Sequence, residues 1–490
     1  MDIILVFTFV AVFLSIYQII PEYKKSRFSY ALSWNKKALI CFLSGTLLSL
    51  YLYFSFFQYH NPNQIIKIFG INLNFLFVID LISTSILISL FLYLLHFAFK
   101  KNINIESKDN FFNKIEEYIN KKDYFSSIQL IKIHFQEIYS SEDEDLKYKI
   151  KRIILKKEFL ENLSKIEPYF CIRIIRGHVD TDFKKQFLDD YLKILLEDNK
   201  SILYDEIKNN QNLHGVGGRY ELIKENKLIT SLLKNAKIAE ELEIWRPLGE
   251  FVLEQLNEQR TLINDKYNYF DENFNDYSEY STLYSDKIFV SLRFFDIMLL
   301  ESLHQKINWH MWLYYYYYLT QYICKNYKIT EFSSPKEENP NSYSRLLNEL
   351  VSNLIKWIRE SDQNIKGYSP KAIDAQHDNG DIIKSSIICL FQCHQEIIDS
   401  KEIPNEFKRK ITHFIYDLYF ELSLSKNPDS NKYAEVLLLC LEDKIKGYSK
   451  RNESYKLFLI DSLNSFDQVP VAFKGGADKL KEFEKRIKKC

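Results

Sequence analysis

Glycine and proline are scarce in this chain, with 12 Gly and 10 Pro among 490 residues. Because both residues interrupt helices, their scarcity permits long helices with few breaks. From residue 109 onward, apolar side chains recur at helical spacing, and alternating strand patterns are rare. The sequence predicts an all-α fold: a three-helix transmembrane bundle at the N-terminus, followed by a large α-helical cytoplasmic region. The sizes of its helices leave a degenerate helical-repeat arrangement open.

Charge is almost absent from three apolar stretches in the first hundred residues. Residues 3–20 and 38–57 carry no charged side chain, and residues 75–99 carry only Asp80. About 20 apolar residues suffice for a helix to cross a bilayer. The three stretches are therefore predicted to be transmembrane spans.

The loops between these spans differ in positive charge. Residues 21–37 contain five Lys or Arg residues, whereas residues 58–74 contain only Lys67. Positive loops stay on the cytoplasmic side of a membrane. We therefore expect a cell inner membrane protein with its N-terminus outside and residues 101–490 in the cytoplasm.

Asp80 has two interpretations. An intramembrane carboxylate can line a pore or a proton path, or face a partner helix. The third span can instead begin at Leu81, in which case Asp80 caps it at the outer interface. The second interpretation is favoured because residues 81–99 are long enough to cross.

A glycine-rich stretch, Gly215, Gly217, Gly218 and Arg219, follows His214. It lacks the Lys-Ser/Thr pair of a phosphate-binding P-loop, and no buried strand precedes it as in a dinucleotide-binding fold. We interpret it as a turn between helices. The alternative is an anion site that uses His214, Arg219 and the open backbone amides of this glycine-rich stretch, because such amides bind anions.

Histidines supply the remaining candidates for catalysis. His178 and His377 each lie near Asp residues, and His214 lies in the glycine-rich stretch. No standard catalytic motif accompanies them. Cys389, Cys393 and His394 do not match a standard zinc spacing either, so we predict no metal site and no cofactor.

Two classes of protein are disfavoured by composition. The seven cysteines are odd in number and widely spaced, which indicates reduced thiols rather than a disulfide framework. Residues 1–100 hold seven basic and three acidic side chains, a net charge of +4, so the neutral chain has a slightly acidic remainder. A nucleic-acid partner is therefore not expected.

Composition also divides the cytoplasmic region. We predict a helical domain over residues 101–263 and a C-terminal helical domain over residues 342–473. Between them lie a polar loop, an aromatic-rich helical segment and a linker at residues 264–286, 287–332 and 333–341. Residues 474–490 form a basic amphipathic tail helix that either lies on the anionic inner leaflet or docks on the body.

The functional hypothesis follows from the predicted membrane topology and from the absence of a catalytic motif. We expect a multi-pass membrane protein whose helical module binds a protein partner or signal. The absence of a catalytic motif favours a non-enzyme. Small residues at Cys41, Gly45 and Ser49 favour close helix packing or self-association. A sharper form is a bacterial membrane effector, as in phage defence. The alternative is a membrane-tethered enzyme with an unrecognised helical site.

Overall fold

The computed structural model describes most of the helical body and part of the N-terminal region. The described residues are 11, 15–60, 65–68, 71–74, 82, 85, 86, 88, 89, 91–93, 96, 97, 100, 104–212, 222–258, 286–305, 307, 313–329, 340–364, 382–446, 450–466 and 476–489. They belong to two compact units, Met1–Asp180 and Thr181–Cys490. The predicted loop at 264–286 and linker at 333–341 lie outside the described residues, apart from residues 286, 340 and 341.

Among the described residues of the first unit, most helices are short and α3 is the longest. Its helices are α1 (Glu22–Lys25), α2 (Arg27–Tyr30), α3 (Trp34–His60), α4 (Lys108–Asn120), α5 (Tyr124–Ser140), α6 (Glu144–Ile154), α7 (Lys157–Ile166) and α8 (Phe170–Arg176). Among the described residues, the all-α prediction is confirmed with one exception, a small hairpin in this unit.

The exception is a pair of antiparallel strands, β1 (Ile65–Ile68) and β2 (Ile71–Asn74). Ile65 pairs with Asn74 and Ile68 with Ile71. Four of the eight strand residues are isoleucine, and β-branched side chains favour a pleated backbone over a helix. The hairpin occupies the loop that the sequence predicts between the second and third spans.

The predicted spans are described to different extents. Residues 38–57 lie inside α3, which is helical throughout. Residues 3–20 are described only at 11 and 15–20, and residues 75–99 only at ten positions between 82 and 97; nearly all of these are helical. Within the described part of the chain, no helix has both the length and the apolar character needed to cross a membrane. Asp80 lies outside the described residues.

Helices α4 and α5 form the helical hairpin that begins the body of the first unit. The side chains of Ser107 and Asp123 cap the two helices by accepting hydrogen bonds from Asn110 N and Ser126 N. Lys122, in the connecting turn, has a positive φ of 59°. The apolar stripe of α5, which includes Ile128, Ile131, Phe135 and Ile138, is fully or almost fully buried. The sequence periodicity thus identifies the packing face, apart from Phe125 at the start of the helix, which is exposed.

The second unit is a stack of helices around a continuous apolar core. Its helices are α9 (Thr181–Glu197), α10 (Ile202–Asn212), α11 (Lys227–Leu233), α12 (Ala236–Glu241), α13 (Trp245–Glu258), α14 (Lys287–His304), α15 (Leu313–Asn326), α16 (Ser342–Asn364), α17 (Ile382–Asp399), α18 (Asn405–Leu424), α19 (Pro428–Ile445), α20 (Lys450–Asn464) and α21 (Gly476–Lys489). Helices α14 and α17 are buried on nearly every face, which places them at the centre.

The tyrosine-rich helix α15 packs closely against α13. A Cβ atom added to Gly249 would lie 2.1 Å from Cδ1 of Tyr315, so the aromatic ring rests directly on the glycine backbone. Tyr316 is fully buried, whereas Tyr314 and Tyr318 are exposed. The five consecutive tyrosines therefore point around the helix, and only one face of them belongs to the core.

The basic tail helix α21 is docked on the second unit. Phe483 and Ile487 are fully buried, and the Phe483 ring packs 4.6 Å from that of Tyr419, measured between centroids. Arg486 donates hydrogen bonds to Glu442 at 2.5 Å and to both carboxylate oxygens of Glu435. Of the two arrangements that the sequence left open, the structure has the docked one.

Candidate functional site

A buried polar network in the first unit joins α2 to α5. Tyr30, the last residue of α2, is completely buried, and its hydroxyl lies 3.1 Å from Nε2 of His134 on α5. Nδ1 of His134 lies 2.8 Å from Oε2 of Glu137, one turn further along α5. The other carboxylate oxygen of Glu137 accepts a hydrogen bond from the backbone N–H of Ile105 at 2.6 Å. The network thus connects three separate parts of the chain.

The protonation states in this network follow from its partners. Burial lowers the pKa of His134, although the neighbouring Glu137 carboxylate opposes that effect, so the imidazole is neutral at pH 7. A carboxylate only accepts hydrogen bonds, so Nδ1 carries the proton and donates to Glu137. Nε2 is then an acceptor, and the Tyr30 hydroxyl donates to it. Burial also raises the pKa of Tyr30, which keeps the hydroxyl protonated.

Aromatic packing encloses these hydrogen bonds. The rings of Tyr30, Phe111 and His134 lie 5.1 to 5.4 Å apart, each pair arranged edge to face. Such pairs contribute about 0.5–1.5 kcal/mol beyond the area that they bury. Because Tyr30 and His134 are shielded from water, the hydrogen bond between them is electrostatically stronger than it would be in water.

Hydrogen bonds to backbone carbonyl groups also hold this segment in place. The carbonyl oxygen of Tyr30 accepts hydrogen bonds from the N–H groups of Glu106 and Ser107. Arg27, 3% exposed, donates to the carbonyl oxygen of Lys100 at 2.8 Å. The Tyr118 hydroxyl donates to the carbonyl oxygen of Glu22. We call residues 21–33 with these partners the loop–hairpin junction.

The junction contains the residue types of a catalytic relay, but its hydroxyl is not accessible to a substrate. A hydroxyl, an imidazole and a carboxylate in series is an arrangement that activates nucleophiles. The Tyr30 side chain, however, has no exposed surface, so a substrate cannot reach its oxygen. The arrangement is suited to holding two segments in one fixed geometry.

A second buried charge network lies in the second unit. Asp296 on α14 is completely buried and accepts hydrogen bonds from Lys356 Nζ at 3.0 Å and Trp357 Nε1 at 2.9 Å, both on α16. Burial opposes ionisation of this carboxylate, but Lys356 and Arg293 outweigh it and hold its pKa below the usual range. Arg293 also pairs with Glu349 at 2.6 Å. The network fixes α14 against α16 at the centre of the unit.

Of the three histidines proposed from the sequence, His178 is the one that the structure describes. His178 is exposed beyond the end of α8, and His214 and His377 lie outside the described residues, as do Gly215, Gly217, Gly218 and Arg219. The residues on either side of the glycine-rich stretch are described. The side-chain oxygen of Asn210 accepts a hydrogen bond from the N–H of Ile223 at 3.2 Å. The buried Glu206 accepts from the N–H groups of Leu228 and Ile229.

His394, next to the cysteine pair of α17, is a core residue. Its Nδ1 lies 2.6 Å from the Tyr455 hydroxyl and its Nε2 lies 2.9 Å from Thr412 Oγ1, so both nitrogens have partners. Complete burial lowers its pKa to about 3. A hydrogen bond with Cys393, and then burial, raise the pKa of Cys389, which makes that thiol a poor ligand. Among the described residues, no three His, Cys, Asp or Glu side chains are placed to hold a metal ion.

Both networks contain residues that only weakly indicate a buried site in the sequence. His134 and Glu137 lie one turn apart in "IQLIKIHFQEI", and Asp296 interrupts the apolar run "VSLRFFDIMLL". A charged or polar residue within a helix that is otherwise apolar on all sides is a signal of a buried partner. The partner itself, 104 residues away for His134, cannot be identified from such a signal.

No protein-family model matches this chain, and no curated protein matches it. One solved structure that is similar to it is described as a circular tandem repeat protein with novel repeat topology and enhanced subunit contact surfaces. The two share 11% sequence identity over 84% of this chain and 91% of that one, with a TM-score of 0.28. A similarity at this level supports no statement about fold or function.

Proposed function

We propose that this protein is a multi-pass inner-membrane protein whose cytoplasmic helical module binds a protein partner or signal, and that the loop–hairpin junction couples the module to the membrane spans. The observation that carries the proposal is the position of the junction. It joins the segment between the first two predicted spans to the first hairpin of the body through the buried Tyr30–His134 hydrogen bond and the partly buried Tyr118–Glu22 one, and Arg27 adds a partly buried bond to Lys100.

Exposed apolar side chains on α3 support the membrane part of the proposal. Trp34, Leu39 and Phe42 are 80%, 56% and 67% exposed, and Tyr53 is 61% exposed. Large apolar side chains that recur along one exposed helix indicate a surface that is covered by lipid or by another protein. The charge-free sequence of residues 38–57 favours lipid.

The polar character of the junction supports the proposed coupling between the spans and the body. A buried hydrogen-bonded network has few alternative arrangements, because each unpaired group would cost about 1–3 kcal/mol. A displacement of residues 21–33 therefore has to move α5 or break the network. Motion in either the spans or the body is transmitted to the other.

Self-association through α3 forms part of the proposal. Cys41 is exposed, and no atom of the described residues lies within 4 Å of a Cβ added to Gly45, so this face of α3 is open among the parts of the chain that the structure describes. Oxidative cross-linking of Cys41 in membranes should yield a dimer, and Gly45→Leu should reduce it. Absence of any Cys41 cross-link would contradict self-association through this face.

Membrane insertion is tested by extraction and tag accessibility. The full-length protein should stay in the membrane pellet after alkaline carbonate, and a tag after residue 490 should be protected from protease in intact cells. Release into the soluble fraction would overturn the proposal. Co-purification in detergent, followed by identification of the bound proteins, tests the partner-binding module.

A bacterial membrane effector, as in phage defence, is the sharper form of this proposal. Overexpression or phage infection should then collapse the membrane potential of cells with the wild-type protein. Arg27→Ala with Tyr30→Phe should leave insertion intact but reduce this effect, because the junction is weakened. An undisturbed membrane potential under both conditions would remove the effector form and leave the partner-binding module to be tested by co-purification.

A further inference from the structure

The tail helix α21 presents a row of lysines on the face opposite its docked face. Lys481, Lys485 and Lys489 follow each other at intervals of four residues and are all exposed. Residues four apart lie on the same side of a helix. On the opposite side, Phe483 and Ile487 are buried in the second unit. We call these three lysines the lysine row.

The charges of the lysine row are not compensated by the acidic residues of the helix. Glu482 pairs with Lys479, and Glu484 with Lys488. Arg486 is occupied by Glu435 and Glu442. Within the described residues, no member of the lysine row forms an ion pair. One unpaired carboxylate, Asp478, lies at the amino end of the same face, so the row retains a net positive charge.

Docking determines what this helix can do at a membrane. An amphipathic helix that inserts into a bilayer uses its apolar face. Here that face is covered, and Arg486 fixes the orientation of the helix through two carboxylates. The exposed lysines can therefore bind an anionic surface through charge alone, without insertion.

We propose that the lysine row binds the anionic headgroups of the inner leaflet and so gives the second unit a membrane contact of its own. This inference rests on the proposed function, which places a bilayer next to the body. Each lysine near an anionic bilayer contributes about 1 kcal/mol, so removal of three charges corresponds to a change on the order of a hundredfold in the local equilibrium. The attraction falls off within about 10 Å at 0.1 M salt.

Cys490 follows the lysine row and provides a position for a fluorophore. The full-length protein with Cys41→Ser, labelled at Cys490, is reconstituted into nanodiscs that carry a headgroup quencher. One set of discs contains only phosphatidylcholine, and the other contains about a third phosphatidylglycerol. We expect stronger quenching in the anionic discs, and loss of that difference in the triple variant K481Q/K485Q/K489Q and at 1 M salt.

The matched control removes three exposed lysines elsewhere in the same unit, K234Q/K237Q/K401Q. It changes the net charge equally but should keep the quenching difference. Equal quenching in neutral and anionic discs for the wild type would overturn the inference, as would an equal loss in the control. Circular dichroism of both variants checks that the helices are intact.

Failure of the proposed function can be distinguished from failure of the inference about the lysine row. If the wild-type protein does not enter nanodiscs and remains soluble, the membrane-spanning proposal fails. The lysine row is then tested by flotation of the same protein with neutral and anionic vesicles. Flotation that is equal with both, or that is unaffected by K481Q/K485Q/K489Q, overturns the inference. The same holds if the row is required only for co-purification of nucleic acid or of an acidic protein.

Discussion

The Tyr30 hydroxyl donates a hydrogen bond to Nε2 of His134 across 3.1 Å, inside a cluster where neither side chain is more than 2% exposed. Tyr30 belongs to the short segment before α3, and His134 to the first helical hairpin of the body. The bond therefore ties the predicted cytoplasmic loop to the body at a point where water cannot replace either partner.

Removal of the Tyr30 hydroxyl should loosen this junction without opening a cavity. In Tyr30→Phe the ring can keep its contacts with Phe111, but the buried Nε2 of His134 loses its donor. An unsatisfied buried group costs about 1–3 kcal/mol. Hydrogen exchange of the α5 amides should speed up accordingly. Tyr148→Phe, at a side chain that is 60% exposed, is the matched control and should leave exchange unchanged.

Loss of the Asp296 carboxylate should destabilise the second unit strongly. Asp296→Ala leaves the buried Trp357 N–H without an acceptor and the half-exposed Lys356 without a counter-charge. Breaking one side of a buried pair costs about 3–5 kcal/mol, and the partial exposure of Lys356 places the expected loss near the lower end. Chemical denaturation, followed by a probe in this unit, measures it.

An exposed ion pair in the same unit provides the control for Asp296→Ala. Arg409 and Asp461 lie 2.8 Å apart, with side chains 38% and 60% exposed. Solvent screens such a pair, so Asp461→Ala should cost less than about 1 kcal/mol. Equal losses for the two Asp→Ala variants would show that the Asp296 network does not act as a buried charge cluster.

Gly249→Ala should be destabilising although it improves helix propensity. Alanine is favoured over glycine in a helix by about 1 kcal/mol. The new Cβ would lie 2.1 Å from the Tyr315 ring, and overpacking of this kind costs about 1–3 kcal/mol. The melting temperature should therefore fall. In a double-mutant cycle, Tyr315→Ala should cost less in the Gly249→Ala background than in the wild type; additive effects would contradict the contact.

Stability of the second unit should depend on His394 at acid pH. Burial lowers its pKa from 6.5 to about 3, so the unfolded chain binds this proton more readily than the folded one. The stabilisation is complete above pH 6.5 and is lost as the pH falls towards 3, at up to about 1.4 kcal/mol per pH unit. The stability difference between the wild type and His394→Gln should therefore shrink over this range. A difference that is constant between pH 7 and pH 4 would show that His394 does not titrate with unfolding.

The helical body was largely predictable because its signal is periodic. The helical spacing of apolar residues from residue 109 onward includes Phe125, Ile128, Ile131, Phe135 and Ile138, and α5 covers these residues. Even here one detail differs: Phe125 is 50% exposed, because it lies at the edge of the stripe. Local periodicity identifies a helix and its average buried face, but the edge of that face depends on what packs beside it.

The candidate sites were much less predictable. Sequence motifs pointed to His178, His214 and His377, of which the described one, His178, is exposed. Tyr30, His134 and Asp296 belong to no motif. Their roles depend on partners elsewhere in the chain, and a single sequence does not record such pairings.

The tail shows the same division between local and distant information. The stripe of Leu480, Phe483 and Ile487 was sufficient to predict an amphipathic helix, but it was equally compatible with lipid and with the body. The contacts of Phe483 with Tyr416, Tyr419 and Phe420 decide for the body.

By itself, the amino-acid sequence determined that this chain is mainly helical and that its helices carry apolar faces, because these properties arise from interactions within a few residues. Tertiary structure alone decided that Tyr30 meets His134, that Asp296 stays ionised without contact with water, and that α21 docks. Each of these depends on the removal of a polar or apolar group from water by residues far away in the chain, and on whether the bonds formed there offset the loss of hydration.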